Sequence, residues 1–82
     1  MTGTPAPRLL TAFPSARPVK PKTPFGGGLR RRWRDPKGRI YEWDYQHGAV
    51  EVYDAHGRHQ GEYDAQTGER LKNAQLGRTI EV

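Results

Sequence analysis

Cysteine is absent from the 82 residues, and there is one methionine. No disulfide can staple the chain, and no thiolate can hold a metal. Long apolar runs are missing too. Only 33% of residues are hydrophobic, and no stretch nears the roughly 18 apolar residues of a membrane helix. Stable membrane insertion is not expected. Residues 1–17 lack the continuous apolar core of a signal peptide. One small domain is the most this length holds, and such a domain buries only roughly 60% of its unfolded surface. A large cofactor-binding enzyme is excluded. A small binding module or a small cofactor-free enzyme remains, expected to be monomeric.

Acid is missing from the first part of the chain. Residues 1–32 hold Arg8, Arg17, Lys20, Lys22, Arg30, Arg31 and Arg32 and no Asp or Glu, a net charge of +7. Residues 33–82 hold seven basic and nine acidic residues, so the whole chain is +5. A basic segment joined to a balanced one suggests a polyanionic partner, nucleic acid first. The plainer alternative is a solvated linker. Six of the seven prolines fall within residues 5–24, and Gly26-Gly27-Gly28 follows. Proline lacks an amide donor and favours extended chain, and a glycine run is a flexible joint. Residues 1–28 therefore read as a linker or delivery arm outside the core, and 29–82 as the folded domain. A short helix around Leu9–Phe13 and a Pro-rich ligand for a peptide-binding domain are weaker alternatives.

From Trp33 onward the pattern is a meander of short strands. Asp35-Pro36-Lys37-Gly38 is a turn. Arg39, Tyr41, Trp43 and Tyr45 alternate with Ile40, Glu42 and Asp44. Gln46-His47-Gly48 reverses the chain, and Ala49–Tyr53 returns. Turns at Asp54–Gly57 and Ala65–Gly68 bound a strand over 58–64. Residues 69–72 and 79–82 are candidate short strands. The fold class is mainly β, a single small twisted antiparallel sheet with an extended N-terminal arm. Trp33, Tyr41, Trp43, Tyr45, Tyr53 and Tyr63 must supply much of the core, or else stack on bases.

The residues that could do chemistry gather at the first hairpin. His56 and His59 lack acids or cysteines at ligand spacing, so zinc is set aside and no metal is expected. His47 lies three residues after Asp44 and four before Glu51. Two registers are open. A three-residue turn makes Tyr45 face Ala49 and Trp43 face Glu51. A longer loop frees Asp44 to turn towards His47, where a carboxylate can orient an imidazole. Such a pair with a second carboxylate suffices for metal-free acid–base transfer. A ribonuclease needs a base on the ribose 2′-hydroxyl, an acid on the leaving 5′ oxygen and a cation on the phosphoryl oxygens. Glu51 and His47 could be base and acid, in either order. Arg78 or Lys72 could be the cation.

The string Ile40-Tyr41-Glu42-Trp43-Asp44 with Gln46-His47-Gly48 resembles the cytotoxic ribonuclease domain of those E-group colicins that cleave small-subunit (16S) ribosomal RNA. So do Gly57-Arg58-His59-Gln60-Gly61, Leu71-Lys72 and Arg78-Thr79-Ile80. The resemblance spans roughly residues 18–82, with no counterpart recognised for 1–17. It implies metal-independent cleavage at the decoding site of the ribosome, and arrest of translation. By position it makes Asp44, His47, Glu51, Tyr41 and Arg78 catalytic. Lys72 and His59 fall near the substrate, and the basic run Arg30, Arg31 and Arg32 is expected to bind it. It also implies an acidic immunity protein as inhibitor and a larger secreted parent toxin with receptor-binding and translocation parts. The site of action would be the cytoplasm of the target bacterium. Tyr45, Ala49 and the stretch from Asn73 to Gly77 depart from the family pattern. Against this stand a non-catalytic RNA-binding module and a structural hairpin module of a surface protein.

Overall fold

Four turns set the frame, and each opens with an aspartate. Asp35, Asp44, Asp54 and Asp64 each accept, at Oδ1, the amide of the residue two positions on, at 2.8–3.0 Å. Each also accepts at its backbone oxygen the amide of the glycine that closes the turn: Gly38, Gly48, Gly57 and Gly68. A short carboxylate that bonds its own chain favours reversal over continued strand. At Gly48 φ is +66°, so the tip of the second turn needs a residue without Cβ.

The computed structural model describes residues 3–82. Between the turns run β4 (Arg32–Arg34), β5 (Ile40–Asp44), β6 (Ala49–Tyr53), β7 (His59–Tyr63) and β8 (Arg70–Asn73). They form an antiparallel meander, and β1 (Arg17–Val19) joins its edge beside β4, giving the order β1-β4-β5-β6-β7-β8. A separate small hairpin pairs β2 (Pro24–Phe25) with β3 (Gly28–Leu29). Among the described residues there is no helix: Leu9–Phe13 forms turns. Of the two candidate C-terminal strands, one is β8. The other contributes only the bridge between Arg58 and Thr79.

The β5–β6 register lies between the two alternatives. Asp44 pairs with Ala49, Trp43 with Val50 and Glu42 with Glu51. The loop is thus Tyr45–Gly48. Asp44 keeps its place in the ladder and its side chain still reaches His47, because it is the last paired residue.

Period-two alternation sends the two halves of each strand to opposite faces. Trp33, Tyr41, Trp43, Val50 and Val52 share one face and form the core with Leu10, Ala16 and Ala65. Arg32, Glu42, Asp44, Glu51 and Glu62 belong to the other.

The segment expected to lie outside the core in fact covers it. Leu10 and Ala16 are 1% exposed. The indole Nε1 of Trp33 donates to the Arg8 carbonyl at 3.0 Å, and that of Trp43 to the Thr4 carbonyl at 2.7 Å. The Thr4 amide donates to the Tyr45 carbonyl, and that of Ala12 to Ala65. A six-stranded sheet with one apolar face needs a second layer, and in a chain this short the proline-rich segment supplies it. Two of these four contacts use carbonyls of the segment as acceptors, and the other two use the amides of the non-proline residues Thr4 and Ala12.

Leu10→Ala is therefore expected to destabilise the protein by about 2–4 kcal/mol, the cost of a buried leucine. Urea unfolding followed by tryptophan fluorescence measures this; an unchanged midpoint would show that the segment is dispensable.

Candidate active site

The polar face of the sheet opens into a cleft of about 260 Å³. Its lining includes Arg30, Asp44, His47, Glu51, His59, Glu62, Lys72 and Arg78. Strands β5, β6, β7 and β8 place the carboxylates, His59 and Lys72; the second turn places His47, and the C-terminal tail places Arg78.

Asp44 Oδ1 caps the turn by accepting the amides of Gln46 and His47. Its Oδ2 lies 2.6 Å from His47 Nδ1. The bond puts a proton on Nδ1, which leaves Nε2 of the half-exposed imidazole as the atom for proton transfer.

Glu51 is held differently. Its Oε1 lies 2.7 Å from His59 Nε2, and its Oε2 lies 3.6 Å from Arg78 Nη2. His59 Nδ1 accepts the Gln75 amide at 3.0 Å. That amide can only donate, so the proton of a neutral His59 sits on Nε2 and points at Glu51. His59 is thus a clamp on Glu51. The same contact ties the tail to the sheet, together with His59 N donating to the Arg78 carbonyl and Ile80 N to that of Gly57. A Cβ at Gly57 would meet the Ile80 oxygen at 2.4 Å. Only glycine lets the tail approach so closely, and the tail carries Arg78.

Glu62 was not anticipated. It pairs with Glu51 across β6 and β7, so it lies on the cleft face. Burial pushes its carboxyl up from the usual 4.5 to about 7, with help from the neighbouring carboxylates of Asp44 and Glu51. Burial acts to raise Asp44 as well, but the neighbouring Glu62 carboxyl and the bonds from His47 outweigh it and hold Asp44 down at about 2. Of the two acids, Glu62 is the one that holds its proton to higher pH. Tyr53 was read as a core or base-stacking aromatic and not as a site residue. It stands two residues after Glu51 on β6, with its ring 5.2 Å from that of His59 and 5.8 Å from the Arg78 guanidinium. In both cases strand parity relative to Glu51, once the register is known, gives the face.

Three expected site residues are elsewhere. Tyr41 is on the core face, 1% exposed, with its hydroxyl donating to Asp35 Oδ2 at 2.8 Å. Burial and that bond push its phenol up to about 12. It stands three residues before Asp44, and an odd spacing on a strand means opposite faces. Arg32 is buried against Glu42 Oε2 at 2.8 Å, with Thr23 alongside, so its charge is spent within the fold. Arg31 does not line the cleft. Arg30 does, and its Nη1 donates to the Trp43 carbonyl. Of the departing residues, Tyr45 stacks on Phe25 at 4.5 Å and Ala49 is buried.

The model of the Cytotoxic family matches residues 4–81. The chain belongs to that family. It is 46% identical to colicin E3 of Escherichia coli over 82 aligned residues, covering 93% of this chain and 15% of that protein. It is 52% identical over 65 residues to colicin-E6 and 51% over 65 residues to cloacin, both from Escherichia coli and each covered to 12%. The chain thus spans about an eighth of the length of these curated relatives. The family match starts at residue 4, so the proline-rich segment, recognised above only from residue 18, is part of the Cytotoxic domain.

The raised carboxyl of Glu62 has a consequence for stability. A group whose folded value is raised favours the fold below its unfolded value and loses that contribution as pH climbs through the folded one. Glu62→Gln stays neutral throughout. Relative to this variant, the native protein should lose on the order of 3 kcal/mol between pH 4.5 and 7. Chemical denaturation of both proteins across that range checks it; a constant difference would contradict the shift.

Proposed function

We propose that this chain is the ribonuclease domain of a bacterial toxin, and that it cleaves 16S ribosomal RNA in the ribosome without a metal. The observation that carries the reading is one cleft holding two separately organised groups, Asp44–His47 and His59–Glu51–Arg78. Membership of the Cytotoxic family supports the toxin class.

The reaction needs one proton removed and one delivered. Glu51, fixed by His59, takes the proton of the ribose 2′-hydroxyl. The oxygen attacks phosphorus, and the bond to the 5′ oxygen breaks. His47 delivers a proton from Nε2 to that leaving oxygen while Asp44 stabilises the imidazolium. The products are a 2′,3′-cyclic phosphate and a free 5′-hydroxyl. The guanidinium of Arg78 and the ammonium of Lys72 face the phosphoryl oxygens, where charge builds up. Arg30 extends the basic rim along the RNA backbone.

The same rim, with a net charge of +5 on the whole chain, suits an acidic immunity protein as inhibitor. A larger secreted parent would supply receptor binding and translocation, and the target would be the ribosome in the cytoplasm of the recipient bacterium.

Purified chain is incubated with bacterial ribosomes in EDTA and the RNA run on a gel. One short 3′ fragment of 16S RNA is expected. Glu51→Gln and His47→Ala should each slow its release by at least about 10²-fold, the range for lost acid–base groups. Asp44→Asn is more discriminating. An asparagine oxygen still caps the turn, so stability should change by about 1 kcal/mol or less, while cleavage drops by at least about 10²-fold. Tyr41→Phe should leave the cleavage rate unchanged. RNA bound but uncleaved by the native chain would favour a non-catalytic binding module.

A further inference from the structure

Glu62 is the one carboxylate in the cleft that this reaction does not use. Its side chain is 3% exposed. Oε1 faces Lys72 Nζ at 3.6 Å, beyond hydrogen-bond range. Oε2 is buried and has no hydrogen-bond partner among the described residues. An unpaired buried oxygen costs about 1–3 kcal/mol, more when charged. It aims at His47 Nδ1, 3.6 Å away, and that nitrogen is 2.6 Å from Asp44 Oδ2.

One donor atom from each of Asp44, His47 and Glu62 falls within a 4.8 Å span. A tetrahedral dication with bonds of about 2.0–2.1 Å holds its ligands about 3.3 Å apart. The two distances lie on either side of that figure, so small side-chain rotations would close the set. Two carboxylates match the charge of a dication. The imidazole nitrogen favours zinc-class ions over magnesium or calcium, which prefer oxygen alone.

We propose that Asp44, His47 and Glu62 form a binding site for a zinc-class transition-metal dication, and that the bound ion switches the ribonuclease off. The metal would replace the proton on Nδ1. The remaining imidazole proton then sits on Nε2, where no lone pair is left to accept another. Giving that proton up would leave an imidazolate, far less readily formed than imidazole from imidazolium. His47 can then serve neither as acid nor as base. The switching half of the proposal rests on the ribonuclease reading; the binding half does not.

Calorimetry of the whole chain with zinc chloride at neutral pH should show one site with a micromolar Kd, and magnesium chloride at millimolar concentration should show none. Glu62→Gln and His47→Ala should each weaken zinc by at least about tenfold. His47 is half-exposed, so its variant remains informative even if the buried Glu62→Gln folds poorly. His56→Ala, at an exposed turn, should leave the affinity unchanged. No zinc binding, affinity unaffected by Glu62→Gln and His47→Ala, or loss of binding in His56→Ala would overturn the site. Zinc should also stop RNA cleavage, with EDTA restoring it; cleavage unaffected at saturating zinc would overturn the switch. If the EDTA-treated chain never cuts RNA, the ribonuclease reading fails while calorimetry still decides the metal site.

Discussion

A carboxylate one methylene from the backbone can cap a turn and hold a neighbouring ring at the same time, because its two oxygens point in different directions. Asp44 does both. It is one of four turn-opening aspartates with the same local bonding; Asp35 spends its second oxygen on Tyr41 and Arg39, on the core side. At Asp44 the third residue on is a histidine, and the second oxygen is free to take its Nδ1. The position of the imidazole is therefore set by hairpin chemistry, with no dedicated scaffold. This allows a protein with so little apolar material to carry an oriented carboxylate–imidazole pair.

Around that hairpin the sheet divides labour by parity. One face of β5 and β6 carries Tyr41, Trp43, Val50 and Val52, and the N-terminal segment closes over it. The other face carries ionisable groups at an unusual density for buried positions. They persist because each is paired. Arg32 is held by Glu42, Glu51 by His59 and Asp44 by His47, and Glu62 keeps a proton. Burial of charge without such partners would be prohibitive. The cleft is thus a product of the same alternation that makes the core.

How much of this could be read from the residues differs by element. The strands and turns were legible, because Asp…Gly pairs and alternating side chains are local signals. Asp44, His47, Glu51 and Arg78 were legible through their spacing and the family string. The register was not: one residue more or less in the loop satisfies the turn chemistry equally, and only packing decides. The covering role of residues 4–16 was hidden because proline content signals extended chain, and an extended chain packed on tryptophans has the same composition as a solvated one. Glu62 drew no reading from the sequence, because its face follows only from its partner across the ladder. Tyr41 was drawn into the site by its place in the matching string, although its distance from Asp44 already set it on the other face.

The two ends of the chain hold unlike things. The N-terminal segment lies over the tryptophans, whereas the tail carries Arg78 and is moored by the His59–Gln75 contact, the Arg58–Thr79 bridge and the approach of Ile80 to Gly57. No member of the aromatic core comes from that tail. A protease that clipped the chain after Asn73 would take the guanidinium and leave the sheet standing. The remnant would keep Asp44, His47, Glu51, Glu62 and Lys72 along the cleft, with Glu51 left without its guanidinium partner.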